Sequence, residues 1–273
     1  MSLKTRLLQA ANESLDVAQY ALPVDALPEG VSLRIAVLAD LHMNRPTAYH
    51  DQVLAALVQA RPDLILIAGD STDETTDITA QSVAPFFARV ARTAPAAAVL
   101  GNNDCDPQRL PALRAVYRQT GVLLLENETR LFSLRGQTLK IVGLTDPAAI
   151  QKGLHKAPAS DARWMPMPAS VAATETLPSI VLIHRPELAR EYAGLRPTLM
   201  VSGHAHGGQF RLPWLGGLYA PGQGLLPRLT SGLYTIDGAP LLVSRGIGNH
   251  VLPLRLNNRP HLPVVVLAGA KRV

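Results

Sequence analysis

Short, continuous apolar runs that alternate with amphipathic stretches constrain the fold more than any other feature of this chain. Leu33–Ala39, Leu64–Ala68 and Ala96–Leu100 are such runs, and helical patterns at Ala48–Ala60 and Ala80–Thr93 separate them. Continuous apolar strands with helices between them are typical of a parallel sheet that is covered on both faces. The first half of the chain therefore predicts a βαβαβ arrangement.

In the second half, strand follows strand. A third helix is predicted at about 107–120, and turns at Arg135-Gly136 and Asp237-Gly238 separate hairpin-like pairs. The predicted strands are Val122–Leu125, Thr129–Leu134, Thr138–Leu144, Ile180–His184, Leu199–Ser202, Gly232–Ile236, Pro240–Ser244 and Val264–Leu267. We expect an α/β fold in which two sheets pack face to face with helices outside.

The chain shows no internal repeat and no polar linker, so we expect residues 1–273 to form a single domain. Residues 1–30 are expected to be an N-terminal helix or strand extension. Within it, 3–19 has apolar residues at helical spacing, either packed on the domain or lying on a membrane surface. Residues 151–178, rich in Ala, Pro and Met, are expected to be a long surface excursion.

Composition excludes several classes of protein. A chain of 47% hydrophobic and 17% charged residues can bury a sizeable core and is not disordered. The net charge of +5 favours an anionic substrate, but the basic residues are scattered, so no specific nucleic-acid partner is expected. The single cysteine, Cys105, excludes a disulfide framework and a multi-cysteine zinc site.

The sequence carries neither a run of about 18 apolar residues nor the layout of a signal peptide. Met1-Ser2-Leu3 resembles a cloning scar, which leaves open a native N-terminal anchor or signal ahead of it. We therefore expect a location in the cytoplasm or at the periphery of a membrane. The oligomeric state stays open.

Residues of the types that commonly bind metal ions follow five of the predicted strands. Asp40 and His42 follow the first strand, and in an extended segment residues two apart point to the same side. The other strand ends carry Gly69-Asp70, Gly101-Asn102-Asn103-Asp104, His184 and Gly203-His204-Ala205-His206. Ligands of open α/β sheets bind at the carboxyl ends of the strands, so we expect these side chains to converge there.

The mixture of imidazole, carboxylate and amide groups suits Mn²⁺, Fe²⁺ or Zn²⁺. Each residue alone has an ordinary structural role available to it, since a lone histidine is usually structural and an Asp after a strand often caps a helix. Such residues at five successive strand ends favour a functional site. Seven ligand groups are too many for one zinc ion and predict two ions that share a bridging carboxylate.

These motifs, in this order, resemble those of the calcineurin-like metallophosphoesterases, over roughly residues 33–244. The segments Gly203–Pro213 and Val243–Gly248 resemble a subgroup of small bacterial phosphodiesterases. The resemblance implies a four-layer sandwich of two mixed sheets flanked by helices. It also implies that Asp40, His42 and His206 bind the first metal and that Asp70 bridges both. Asn102, His184 and His204 would bind the second metal.

One position departs from the family pattern. The family usually has Gly-Asn-His-Asp or Gly-Asn-His-Glu, whose histidine protonates the leaving group, whereas this chain has Asn103. Because general-acid help is worth roughly 10²–10⁴-fold, substrates with poor leaving groups should suffer most. His250 or a water could substitute as the acid, although a loop histidine is usually just solvated. Asp104 is expected to hold a ligand or Asn103 in place.

Three further residues are candidates for substrate binding. Arg185, directly after His184, and Arg245 could each contact a phosphate or form a surface salt bridge. Trp214, in an apolar loop after the last metal motif, could line the substrate pocket and contact a lipid or nucleoside moiety. The alternative for this loop is packing against residues 151–178.

We expect a phosphodiesterase or pyrophosphatase that uses two divalent ions, about 3.5–4 Å apart, with a bridging hydroxide as nucleophile. Its substrate would be a small phosphate ester, nucleotide or lipid-linked. The alternatives are a phosphomonoesterase, or a non-catalytic metal-binding scaffold disarmed by Asn103. A nuclease is less favoured, since no groove with aromatic and basic residues is visible in the sequence.

Overall fold

A computed structural model of the chain describes residues 14–43, 45, 47–79, 81–155, 177–249 and 254–270. The helices are α1 (Thr47–Ala60), α2 (Ala84–Thr93), α3 (Leu110–Thr120), α4 (Ala148–Gln151) and α5 (Ala189–Ala193). The strands are β1 (Asp16–Val24), β2 (Ser32–Leu38), β3 (Leu64–Ala68), β4 (Ala96–Val99), β5 (Leu123–Leu124), β6 (Glu128–Leu134), β7 (Gln137–Gly143), β8 (Ser179–Leu182), β9 (Leu199–Ser202), β10 (Arg211–Leu212), β11 (Gly216–Gly217), β12 (Tyr219–Ala220), β13 (Gly224–Leu225), β14 (Gly232–Ile236), β15 (Ala239–Val243) and β16 (His261–Gly269).

Two mixed six-stranded sheets form the centre of the fold. The first has the order β1-β16-β2-β3-β4-β5, and β2 to β5 are parallel. The second has the order β14-β15-β9-β8-β7-β6, with four parallel strands at its centre and an antiparallel strand at each edge. The predicted βαβαβ unit and the later hairpins are confirmed.

Three apolar cores separate four layers. In the first core, helices α1, α2 and α3 cover one face of the first sheet, with Phe87 and Leu113 fully buried against it. In the second, the two sheets pack on each other, and Leu66 of one sheet belongs to the same buried cluster as Leu182 of the other. The third lies outside the second sheet and includes Tyr192 of α5. The predicted sandwich of two mixed sheets flanked by helices is confirmed.

The helix predicted at 3–19 is wrong over its last six residues, since Ser14 and Leu15 are not helical and strand begins at Asp16. Asp16–Val24 is strand β1, whose side chains alternate in burial and which pairs with β16 in parallel register. A period of two fits an edge strand with one face on the core, and this pairing with the C-terminal strand overrides the local helical spacing. Residues 3–13 lie outside the described residues, as does 156–176 of the predicted surface excursion.

The carboxyl ends of β2, β3 and β4 lie along one edge of the first sheet, next to the ends of β8 and β9 of the second. Backbone hydrogen bonds join these ends, for example from the Asp40 amide to the Gly69 carbonyl at 3.0 Å and from the Gly203 amide to the His184 carbonyl at 3.0 Å. The fold thus collects the residues that follow these five strands.

Candidate metal centre

Strained backbone marks the turns that follow the site strands. Asp40, His42 and Asp70 have φ values of 49°, 50° and 50°, and His204 and His206 have 65° and 45°. Residues other than glycine seldom adopt positive φ, and such strain persists mainly where the surrounding structure holds it for function. Here it turns each of these five side chains toward the same edge of the fold.

The first cluster consists of Asp40, His42 and His206, all buried, with one ligand atom from each lying within 4.8 Å of the others. The Nε2 atoms of His42 and His206 are 3.4 Å apart, and the two rings stack at 5.2 Å. The Oδ1 atom of Asp40 lies 3.8 Å from Nε2 of His206. Two imidazoles and a carboxylate are thus directed at one point.

The second cluster consists of Asp70, His184 and His204, and again one ligand atom from each lies within 4.8 Å of the others. Nε2 of His184 lies 3.1 Å from Nδ1 of His204, 3.4 Å from Oδ2 of Asp70 and 3.2 Å from Oδ1 of Asn102. Nδ1 of His184 lies 2.8 Å from the carbonyl oxygen of Ala68 and can donate to it. Such a bond fixes the tautomer that leaves Nε2 free for a metal.

Burial and mutual charge shift the protonation of these groups. Burial tends to raise the pKa of Asp70, but the charge and hydrogen bond of His184, with the charges of His42 and His204, hold the pKa well below its usual range. Burial tends to lower the pKa of His184, yet the Asp70 carboxylate raises the pKa to about 10. Burial, with the charge of Asp70, raises the pKa of Asp40 to about 7, although the charge of His184 acts in the opposite direction.

This donor set fits two borderline divalent ions. Burial and the charge of His42 lower the pKa of His206 well below its ordinary value, so His206 is neutral, the form that ligates metals. Each cluster offers nitrogen and oxygen atoms without a thiolate, as Mn²⁺, Fe²⁺ and Zn²⁺ accept. Asp40, His42 and His206 could hold one ion, while Asp70, His184, His204 and Asn102 could hold the other.

Asn103 and Asp104 form hydrogen bonds that hold Asp70 and the neighbouring turns in place. The Asn103 backbone amide donates to Oδ1 of Asp70 at 2.9 Å, and its side-chain Nδ2 donates to Oδ2 at 2.7 Å. The buried Asp104 carboxylate accepts the backbone amides of Ser71, Thr72 and Gly101. It therefore ties the turn after β3 to the turn after β4. Burial, with the charge of Asp70, raises the pKa of Asp104 to about 6.

Arg185 lies beside the second cluster in an ion pair that is not on the surface. Its Nε atom is 2.6 Å from Oδ2 of Asp146, a fully buried carboxylate, and its Nη1 atom is 3.3 Å from Nε2 of His204. Glu187 lies 3.8 Å from the same guanidinium. Asp146 thus holds a cation at the rim of the centre, within reach of an anion bound there.

The remaining predicted residues lie apart from the clusters or outside the described residues. The guanidinium of Arg245 donates to Asp16, to Ser231 and to the Arg259 carbonyl. Trp214 is 104% exposed. His250 is outside the described residues.

Sequence reasoning missed three residues that shape the centre. Nδ2 of Asn258 donates to the His206 carbonyl at 2.7 Å and holds its turn. The buried Arg255 donates to the carbonyls of Arg245 and Gly248, in the loop that packs against Asp40. Asp146 follows strand β7, so the rule of polar residues after strands could have found it. No local signal marks the other two.

Comparisons with known proteins agree with this geometry. The profile of the calcineurin-like phosphoesterase family matches residues 33–208. Phosphodiesterase YaeI of Escherichia coli is 29% identical over 86% of this chain and 82% of its own length. UDP-2,3-diacylglucosamine pyrophosphatase LpxG of Chlamydia trachomatis is 25% identical over 79% of this chain and 78% of its own length.

Similarity to solved structures concerns the fold alone. The sulfate thiohydrolase SoxB of Thermus thermophilus superposes with a TM-score of 0.50 at 14% identity, over 89% of this chain and 57% of that one. The family profile spans the five strand ends that carry the seven predicted ligands. The chain therefore belongs to the calcineurin-like phosphoesterase family and is a metal-dependent phosphoester hydrolase.

Proposed function

We propose that the chain hydrolyses phosphodiesters or pyrophosphates at a dinuclear metal centre. The observation that carries the proposal is the pairing of two buried ligand clusters, Asp40–His42–His206 and Asp70–His184–His204, at one edge of the fold. When bound, two divalent ions would supply Lewis acidity toward the phosphoryl group and an activated water as nucleophile. The identity of the ions is left open by the donor set.

The protein's own residues would hold and orient the reacting groups. Asp70, with a carboxylate kept ionised by its neighbours, suits the bridging position between the clusters. Arg185, fixed by Asp146 beside His204, suits a phosphoryl oxygen on the open side of the centre. A guanidinium held by a buried carboxylate is preorganised and stabilises charge that builds up on that oxygen.

Asn103 favours substrates with good leaving groups. It stands where most of the family has the proton-donating histidine, and its side chain donates to Asp70. An amide cannot protonate an alkoxide at neutral pH, so aryl diesters and pyrophosphates need the missing acid least. The phosphodiesterase and pyrophosphatase names of two relatives agree with this class. A phosphomonoesterase and a non-catalytic scaffold are the alternatives, and nucleotide or lipid-linked substrates both fit.

The test is hydrolysis of bis(p-nitrophenyl) phosphate and of p-nitrophenyl phosphate by metal-free protein titrated with Mn²⁺, Zn²⁺ or Mg²⁺. We expect metal-dependent turnover that prefers the diester and is lost in Asp70→Asn. Preference for the monoester would favour a phosphomonoesterase. Metal binding without turnover on either substrate would favour the scaffold, and Asn103→His would then restore activity if only the acid is missing.

A further inference from the structure

A small apolar surface adjoins the first metal cluster. After His206 the chain forms the hairpins β10–β11 and β12–β13. The Leu218 amide donates to the Phe210 carbonyl at 2.9 Å, and the Leu226 amide donates to the Leu218 carbonyl at 2.9 Å. The Arg211 amide donates to the Leu256 carbonyl at 2.9 Å. Segments 209–219, 224–226 and 254–256 therefore make one continuous surface, here called the hairpin platform.

The hairpin platform exposes large apolar side chains. Trp214 is 104% exposed at the tip of the first hairpin, and Leu225 is 80% exposed in the second. The other exposed apolar residues are Leu212, Leu215, Tyr219, Leu226, Leu254 and Leu256. A continuous apolar surface of this kind usually marks an interaction site, whereas single exposed leucines are normal on any protein surface.

The segments that form the hairpin platform carry basic residues and no acidic ones. Residues 207–235 and 254–270 contain no Asp or Glu, and of their four arginines Arg228 and Arg259 are exposed, Arg211 is partly exposed and Arg255 is buried. Arg228 is exposed two residues after Leu226. The carboxylate of Glu187 lies against Gly222 beside these segments, and it is paired with Arg185 at 3.8 Å. A membrane surface with anionic lipids attracts exposed Lys and Arg side chains near it.

We propose that the hairpin platform docks the protein on the surface of an anionic phospholipid bilayer. Trp and Tyr side chains favour the boundary between head groups and acyl chains, and leucines beside them add apolar area that can enter it. No helix in the described part of the chain is long and apolar enough to cross a membrane. The Leu218 amide also donates to the carbonyl of Gly208, in the turn of His206, so docking brings the metal centre to the bilayer surface.

The first experiment uses Trp214 as its own reporter. The chain has two tryptophans, so Trp164→Phe leaves one indole. We expect its emission to shift to shorter wavelength when vesicles of phosphatidylcholine with about one-third phosphatidylglycerol are added, and far less with phosphatidylcholine alone. The protein used should show full metal-dependent hydrolysis, which confirms that it is active. If its emission does not shift with the anionic vesicles at low salt, the proposal is overturned.

The second experiment compares matched variants by sedimentation with the same vesicles. Leu225→Ser should weaken binding at least about tenfold, because the variant loses the burial of a leucine side chain in the acyl region. Arg228→Gln should weaken it about fivefold. Leu131→Ser, at a 60% exposed leucine on the far edge strand β6, should bind as the parent does. Equal binding by Leu225→Ser and Leu131→Ser would overturn the proposal.

Two controls distinguish membrane docking from a loss of activity and from self-association. Leu225→Ser should keep metal-dependent hydrolysis of the soluble diester, so failure of the hydrolase assay would not be mistaken for failure of docking. Gel filtration should show the same species for Leu225→Ser and for the parent. A parent that self-associates through Leu225 and does not sediment with vesicles would assign the hairpin platform to a second copy of the chain and overturn membrane docking.

Discussion

At the scale of single residues, Asn103 has two consequences. It orients the Asp70 carboxylate, and it leaves the position of the family's proton-donating histidine without an acid. Its Nδ2–H donates to Oδ2 of Asp70 at 2.7 Å, and hydrogen bonds to an ionised carboxylate contribute about 1.5–3 kcal/mol. Asn103→Ala keeps the backbone hydrogen bond and removes this one. We expect affinity for Mn²⁺ to fall about tenfold, as is usual when a residue that orients a metal ligand is lost.

Isothermal titration of the metal-free protein with Mn²⁺ measures that change. Gln59→Ala is a matched control, since it removes a side-chain amide from an exposed position of helix α1. Unchanged Mn²⁺ affinity in Asn103→Ala would show that the backbone amide alone suffices to orient Asp70.

His261 gives the protein a dependence on pH that is separate from the metal centre. It is fully buried in β16, and burial, with the charge of Arg245, lowers its pKa from 6.5 to about 3. The unfolded chain therefore binds a proton more readily, so the contribution of His261 to stability is complete above pH 6.5 and is lost as pH falls toward 3. By pH 4 the loss should be about 3 kcal/mol.

Urea denaturation at pH 7 and pH 4 tests this. His261→Gln cannot titrate, so its stability should fall less between the two pH values than that of the parent protein. The parent and His261→Gln each lose stability between pH 7 and pH 4. The difference between these two losses separates the effect of His261 from that of the acidic residues. Equal losses of stability in the two proteins would mean that His261 is protonated in the folded state as easily as in the unfolded one.

The sequence predicts which residues form the two clusters, but not which residues hold the turns of the clusters in place. Asp40, His42 and Asp70 are predictable because they come directly after apolar strands, and that is a local signal. Asn258 and Arg255 act through carbonyl groups of residues that precede them by 52 and by 7–10 positions. Only the fold brings those groups together, so no spacing in the sequence indicates them.

At the scale of secondary-structure elements, the turn after β3 depends on Gly69. Its φ is +84°, and a Cβ there would lie 2.6 Å from Nδ1 of His184 and 2.7 Å from the Gly101 amide nitrogen. Gly69→Ala should therefore push His184 from its cluster, cost more than about 2 kcal/mol of stability and lower metal affinity. Gly136→Ala is the control, since φ is +75° and nothing lies within 4 Å of its Cβ.

Both substitutions carry the penalty of a side chain at positive φ, about 1 kcal/mol, so the difference between them reports the lack of space alone. Thermal unfolding measures the stability of each, and Mn²⁺ titration measures the site. Equal losses in the two variants, with metal affinity intact in Gly69→Ala, would show that the turn can open without disturbing His184.

The predicted elements differ from the observed ones where pairing is distant in sequence. Leu64–Ala68 and Leu199–Ser202 match their predictions residue for residue, because buried parallel strands are continuous apolar runs. The start of strand β1 is predicted as the end of a helix, because its partner β16 lies more than 200 residues away. The hairpins β10–β13 are expected only as an apolar loop, since strands of two residues leave no period to detect.

At the scale of the whole molecule, the metal centre spans both sheets. Asp40 and His42 follow β2 of the first sheet, whereas His206 follows β9 of the second. The second cluster likewise combines Asp70 with His184 and His204. We propose a single domain whose sheets unfold together, supported by their shared buried core and by ligands contributed from both sides.

Removal of the metals should therefore lower the stability of the whole fold. A ligand at 100 times its Kd adds about 2.7 kcal/mol for each site, so two ions should add about 5 kcal/mol. For a chain of this length we expect EDTA to lower the Tm by about 10–20 °C in one transition. Asp70→Asn should show a much smaller shift, while Gln59→Ala should behave as the parent. Two separate transitions, with only one sensitive to EDTA, would mean that the sheets unfold independently and that the ions do not join them.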